Sequence, residues 1–434
     1  MARLNGKDIF FPAKVNVSVS SLPTEEKTVS LDMASGDQEV IPSVNKVLTK
    51  AIIKKPETLR PENIKEGVEI GGVVGTHPDG VTPSGEIELT ENNKTYDVTQ
   101  YASATVNVAS SGGGDNLIAQ RVSGNPIDIT ADTLEGVTNI ADYAFHYERY
   151  VKSVEMPESI TSIGQYAFAY AQVSRVVLSP NISVIPAYAF CYSHIEHLSI
   201  PESVTAIQSN AFNRCSHLKT IQFPDTPITY GNMMLSYCDS LESLNFPSGA
   251  IAQSSVASVC SNLKTLTIGE GITSIATQAF TGNYLLETIY YNAISVEDCQ
   301  SRTSIFRGSG RDVEGGAKFY IGRKVKRIPA YLLCDDYNYT DRQNYISEVI
   351  FENGSVCESI GFYAFRIMYN LRFIDLTGFG ESTPFPTLEN EGAFQYCGRD
   401  TEKGTFEIRV PLGRKAELAA MTNWSTYVDK IVEV

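Results

Sequence analysis

SVIPAYAF, residues 183–190, decides the fold, because near copies of it return along the chain: TSIGQYAF at 161–168, TAIQSNAF at 205–212, TSIATQAF at 273–280 and ESIGFYAF at 358–365. Apolar anchors accompany the copies, and Val151, Val173, Ile195, Leu218, Leu241, Leu263 and Leu286 follow one another at intervals of 22 or 23 residues. A fixed period of that size marks a solenoid, in which one supersecondary unit stacks on the next.

Within a repeat, LKTIQF (218–223) and LESLNF (241–246) read apolar-x-x-apolar-x-apolar. That pattern predicts a short strand with alternate side chains turned inward. A turn follows, often marked by proline, as at Pro157, Pro201 and Pro224. Next comes the Ile-x-x-x-Ala-Phe block, in which Ile207, Ala211 and Phe212 stand at near-helical spacing. The small alanine lets this returning limb lie close to the strand, and the phenylalanine fills the core. One such coil buries too little apolar surface to stand alone, so stacking must supply the rest.

Composition agrees with a folded protein, at 42% hydrophobic and 20% charged residues over 434 positions. No apolar run reaches the ~18 residues that span a bilayer, so membrane insertion is not expected. The net charge of −15 disfavours nucleic acid and anionic lipid, whose binding draws on clustered Lys and Arg. The N-terminal MARLNGKDIFFPAKVNV lacks the apolar core and cleavage site of a secretory signal, so export by that route is not expected. Eight dispersed cysteines do not form a disulfide framework. Cys215, Cys238, Cys260 and Cys397 fall at or near one repeat position and read as buried thiols in a narrow site.

The strand, proline, Ile and Ala-Phe order, often with a cysteine, resembles the BspA-like leucine-rich repeats over about residues 128–434. The ending RVPLGRKAELAAMTNWSTYVDKIVEV, with Val410, Pro411 and Trp424, looks like that family's closing cap. Regularity lapses after Leu286, where roughly thirty residues precede the next strand near Phe319, and again around 335–345 and 377–392. Insertions in a solenoid become loops, often on a binding face.

Residues 1–110 keep no such rhythm, and the runs KVNVSVSS, EIELTE and ATVNVAS suggest small β-rich modules. Residues 29–76 resemble segments of tail and minor structural proteins of bacteriophages and prophages. Residues 93–114, NKTYDVTQYASATVNVASSGGG, are similar to another module of those proteins, and 115–145 to their lead-in to repeats. The resemblance implies a virion structural protein, assembled in the host cytoplasm and exposed on the particle surface.

The expected fold is therefore mainly β with short helical segments. Virion-attachment modules at 1–110, a Gly-rich linker at 111–115, a leucine-rich-repeat solenoid with its N-terminal cap at 116–410 and a C-terminal cap at 411–434 divide the chain.

Catalytic signatures are missing: there is no G-x-S-x-G elbow, phosphate loop or Cys-x-x-Cys pair, and no cofactor is implied. His194, His217 and His197 could in principle hold a metal, against the commoner reading of solvated coincidence. Carboxylates are scattered, and no glycosidase pair is visible. What does stand out is the outward row Ser153, Arg175, His197, Thr220, Ser243, Thr265 and Thr288, and beside it Glu155, Val177, Ser199, Gln222, Asn245, Thr267 and Tyr290.

Such a ladder of short hydroxyls and amides could hydrogen-bond a glycan or a protein strand, with Tyr290 as a stacking surface. The other open reading is a solvated sheet face rich in Thr for strand propensity. The function expected is a non-enzymatic virion protein, its front bound to other virion proteins in the tail, baseplate or fibre. Its solenoid touches a host cell-surface glycan or protein, and homo-oligomers, a trimer by analogy, multiply the contacts. Alternatives are a head fibre or decoration protein, and a hydrolase of host polymers.

Overall fold

The computed structural model describes residues 127–434 apart from 135, 252, 301–303, 336–343 and 403, and before 127 the backbone of short strands. The run EIELTE, the linker 111–115 and most of the attachment region lie outside the described residues. The chain divides into two compact units, Met1–Val173 and Ser174–Val434.

In the first unit, antiparallel pairs join Ala2–Leu4 to Lys7–Ile9 and Lys14–Asn16 to Thr95–Asp97. Val106–Ala109 pairs antiparallel with Asn116–Gln120. From there the pairing turns parallel, Asn116–Gln120 to Asn139–Ile140 and on to Ser162–Ile163. Opposite, Ile127–Ile129 runs parallel to Val151–Glu155. Alternation along Val151–Glu155 buries Val151 and Val154 and leaves Lys152 and Glu155 outside.

The second unit repeats one coil many times. Each coil crosses a front strand, turns a corner, crosses a back strand and returns through a tight turn. Front strands Arg175–Val177, His197–Ser199 and Thr220–Gln222 are parallel neighbours with the pattern exposed, buried, exposed. Further on, the front is carried by Ser243–Ile251, Thr265–Ile275, Thr288–Tyr291, Ala317–Ile321, Ile346–Phe351, Phe373–Asp375, Glu407–Val410 and Ile431–Glu433, all parallel. The back strands include Val184–Ile185, Ala206–Ile207 and Ile228–Tyr230, and later Arg327–Ile328, Ser359–Ile360 and Thr387–Leu388. This is a β-rich leucine-rich-repeat solenoid, and its described residues include a six-residue α-helix at Lys415–Ala420 and a 3-10 turn at Trp424–Tyr427.

The anchors Ile195, Leu218, Leu241, Leu263 and Leu286 are fully buried, as are the block phenylalanines Phe190, Phe212, Phe280 and Phe365. Phenylalanines of successive coils stack, Phe190 on Phe212 at 5.5 Å and Phe365 on Phe394 at 5.3 Å. Offset-stacked rings of this kind add to the area they bury.

The returning limb differs from its near-helical expectation. Ile207 closes a back strand, and Asn210 then has φ +59° and Arg214 φ +60°. Left-handed residues recur in pairs four apart, as at Tyr188 and Tyr192 or Met233 and Tyr237. Each costs free energy for a non-glycine side chain, but the alternation turns successive N–H groups the same way. Asn210, Phe212 and Arg214 donate to the carbonyls of Asn232, Met234 and Ser236 in the next coil at 2.9, 2.9 and 2.8 Å. A helix would have spent those donors on itself. The turn is thus a third ladder between coils, beside the two β ladders.

All eight cysteines are free and buried. At the position three after the block phenylalanine, Cys215 Sγ donates to the Phe190 carbonyl at 3.0 Å and Cys260 Sγ to the Leu235 carbonyl at 3.2 Å. Ser309 Oγ does the same for Phe280 at 2.7 Å, and Asn283 Nδ2 for Ala257 at 3.0 Å. The narrow site expected for these thiols therefore also presents a carbonyl of the preceding coil to the side chain, which donates to it.

Residues 411–434 pack on the last coils, with Ile431–Glu433 beside Glu407–Val410 in the front sheet. Trp424 is fully buried and its Nε1 donates to the Pro386 carbonyl at 2.7 Å. The Tyr427 hydroxyl donates to the Glu391 carbonyl and accepts the Phe394 N–H.

Candidate functional site

Side chains on the outer surface of the front sheet line up because parallel register places equivalent residues side by side. Arg175, His197 and Thr220 form one run, and Ser243, Thr265 and Thr288 another, with Asn245, Thr267 and Tyr290 alongside. Arg175, His197, Thr220, Gln222, Ser243 and Asn245 are exposed, whereas Thr265, Thr267 and Thr288 are half-buried. In the first unit Ser153 is half-buried and its hydroxyl donates to Asp128 at 2.5 Å.

Part of this ladder is occupied with its own neighbours. His197 Nδ1 lies 2.8 Å from Thr220 Oγ1. Tyr290 is 37% exposed, and one ring face is covered by Tyr320 of the next coil at 5.4 Å. A ligand ring would meet its edge and hydroxyl rather than an open platform.

His194 and His217 stack at 4.3 Å with an interplanar angle of 30°. The two rings lie tilted against each other, and His197 is engaged with Thr220. Among the described residues no group of three or more His, Cys, Asp or Glu is placed to hold a metal. Burial lowers the His194 pKa, and the neighbouring His217 lowers it further. No helix among the described residues is long and apolar enough to cross a membrane.

Beyond Tyr290 the same rows continue into charge, through Lys318, Glu348, Phe373 and Glu407 in one and Tyr320, Ile350, Asp375 and Arg409 in the other. Glu348 is only 9% exposed and lies between two cations, Lys318 at 3.4 Å and Arg372 at 3.3 Å. Arg409 pairs with Glu407 at 3.1 Å and lays its guanidinium 3.6 Å from the centre of the Phe373 ring. Arg311 caps Tyr284 likewise at 3.8 Å.

Over this end of the sheet opens a cleft of about 570 Å³. Its floor includes Ser347, Asn370, Arg372, Phe373, Glu407 and Arg409. One wall is the glycine-rich 310–316 segment, with Gly310, Gly315 and Gly316 at positive φ, and the other is formed around Asp400–Thr405. Pockets of this size and mixed lining suit small ligands.

The three expected insertions have different fates. The first supplies the 310–316 wall at its end, and its earlier part is pinned to the back by Asp298, which Arg327 holds at 2.6 Å. Of the second, 336–343 lie outside the described residues, and Tyr345 reaches the cleft. The third faces away, placing Thr387–Leu388 beside Ser359–Ile360 in the back sheet. Arg372, Phe373, Glu348, Glu407 and Arg409 went unnoticed in the sequence because the period breaks before them. The signal available was the alternation in LRFIDL and FEIRV, in phase with the earlier strands.

Fold and repeat together define a leucine-rich-repeat protein. Residues 128–201 and 183–309 match the BspA type leucine rich repeat region in six copies, so the chain carries repeats of that type. No curated protein matches the chain. Solved structures similar to it include a leucine rich cell surface protein from Faecalibacterium prausnitzii A2-165, 18% identical, covering 73% of this chain and 95% of that one, TM-score 0.27. The pneumococcal vaccine antigen PcpA is 12% identical over 76% and 95%, TM-score 0.32. A leucine-rich repeat protein from Bacteroides ovatus ATCC 8483 is 17% identical over 78% and 100%, TM-score 0.32.

Proposed function

We propose that the chain is a non-enzymatic adhesion protein, in which the front sheet of Ser174–Val434 contacts a host cell-surface glycan or protein. The observation that carries this reading is the register itself: parallel pairing holds Ser243, Thr265, Thr288 and Lys318 in one row and Asn245, Thr267, Tyr290 and Tyr320 in the next, leading into the cleft. A row of donors and acceptors at strand spacing offers many weak contacts to an extended partner. Copies gathered on a particle multiply them, in homo-oligomers and by analogy in trimers.

Residues 1–110 attach this module to other virion proteins in a phage tail, baseplate or fibre. The support is the resemblance of 29–76 and 93–114 to phage structural modules.

The test is binding of the full chain to host cells, competed by intact virions. Paired substitution Thr265→Ala with Tyr290→Ala that leaves attachment unchanged removes the sheet-face reading. Antibody to the repeats that labels the tail tip supports attachment, and label on the head supports a decoration protein instead.

A further inference from the structure

The geometry points to the cleft above Phe373 as a binding site for a carboxylate-bearing saccharide, a uronic-acid unit of an acidic surface glycan. This rests on the adhesion reading and names the ligand class for one end of that face.

The cations set the first requirement. Glu348 carries one negative charge and is shared by Lys318 at 3.4 Å and Arg372 at 3.3 Å, so the trio holds one positive charge more than it balances. The Arg372 side chain is 54% exposed, and its guanidinium lines the cleft. A planar guanidinium with open donors is suited to one carboxylate. Arg409 adds no such demand, because Glu407 balances it and Phe373 lies beneath it.

The remaining lining sets the second requirement. Glu314, Asp400 and Glu402 stand around the cleft with Thr401, Thr405 and Asn370. Carboxylates accept hydrogen bonds and repel further negative charge. A polyanion of closely spaced phosphates would meet that repulsion along its length. A sugar with a single carboxylate satisfies Arg372 and donates its hydroxyls to the acids. Stacking plays little part, since Arg409 covers Phe373 and Arg311 covers Tyr284. Gly315, at φ +78°, brings the wall within van der Waals reach of the Arg372 guanidinium.

The experiment titrates the full chain with methyl galacturonoside, which carries one carboxylate, and with its neutral counterpart methyl galactoside by calorimetry, alongside the host-cell attachment assay. The galacturonoside is expected to bind at least tenfold more tightly than the galactoside, and to weaken as salt is raised. Arg372→Gln is expected to abolish that preference, whereas Glu348→Gln, which frees a second cation, is expected to strengthen it. Circular dichroism of each variant confirms the fold. Equal binding of the two sugars, or binding of neither while cells are still bound, overturns the ligand class and leaves adhesion standing. Absence of cell binding as well overturns both.

Discussion

The Cys238 thiol donates to the carbonyl oxygen of Phe212 in the preceding coil at 3.2 Å. Ser309 fills the same role for Phe280, so a hydroxyl fits where the thiol does. Cys238→Ser should therefore be mild, while Cys238→Val removes one of the two bonds this carbonyl accepts, the other coming from the Cys215 N–H at 3.2 Å, and should cost about 0.5–1.5 kcal/mol. Urea unfolding of the two variants measures the difference.

Burial pushes the Cys215 and Cys260 thiols up to about 12. Thiolate is the reactive form, so at neutral pH these side chains should resist iodoacetamide in the native protein and react once it unfolds. Labelling followed by mass spectrometry, with and without urea, reports this.

Gly249 has φ +118°, and a Cβ there would lie 1.9 Å from the Ile228 carbonyl oxygen. Gly249→Ala forces apart the back strand and the corner between Phe246 and Ala250. A loss on the order of 3 kcal/mol is expected, read from the shift in denaturant midpoint.

Arg414 spends its guanidinium on five bonds, to the carbonyls of Phe379, Gly380 and Thr383 and to both oxygens of Glu417. Its side chain is 9% exposed. Lysine keeps the charge but cannot reach these acceptors together, so Arg414→Lys should weaken the cap by about 1.5–3 kcal/mol. Faster amide exchange around 376–388 and in the cap, with the coils before 290 unchanged, is the expected signature.

His194 is held neutral by burial first and by His217 second. Its folded pKa lies below its unfolded 6.5, so the unfolded chain binds the extra proton more readily. Stability contributed by the neutral ring is present above pH 6.5 and is lost as pH falls towards the folded value. His194→Gln should flatten the fall in denaturant midpoint between pH 7 and 5 relative to the native chain.

Much of this architecture is legible in residue spacing. Leu218, Ile221 and Phe212 recur because burial on one side of every coil demands them, and their interval names the solenoid. The returning limb is harder to read. Ile207, Ala211 and Phe212 have helical spacing, yet Asn210 and Arg214 turn left-handed because three bonds to the next coil outweigh those a helix would make within itself. Propensity counts only local partners, and these partners lie a whole repeat away.

The site divides in the same way. Thr265, Thr267 and Tyr290 can be placed on one face from alternation alone. Arg372 and Glu348 cannot, since the insertion between Leu286 and Phe319 breaks the count and only spatial register restores it. Nor does alternation show that Tyr320 lies against Tyr290.

The forward-pointing amides of the turn ladder give the regular coils of the second unit a common joint. The turns at 188–192, 210–214, 233–237 and 331–335 each give three donors to the next coil, and those at 257–259, 280–282 and 365–367 give two. A repeat can thus be duplicated or deleted whole while the seal at Tyr427 stays untouched. Reach can change in steps of one coil, and the surface on each coil can diversify without renegotiating the joints.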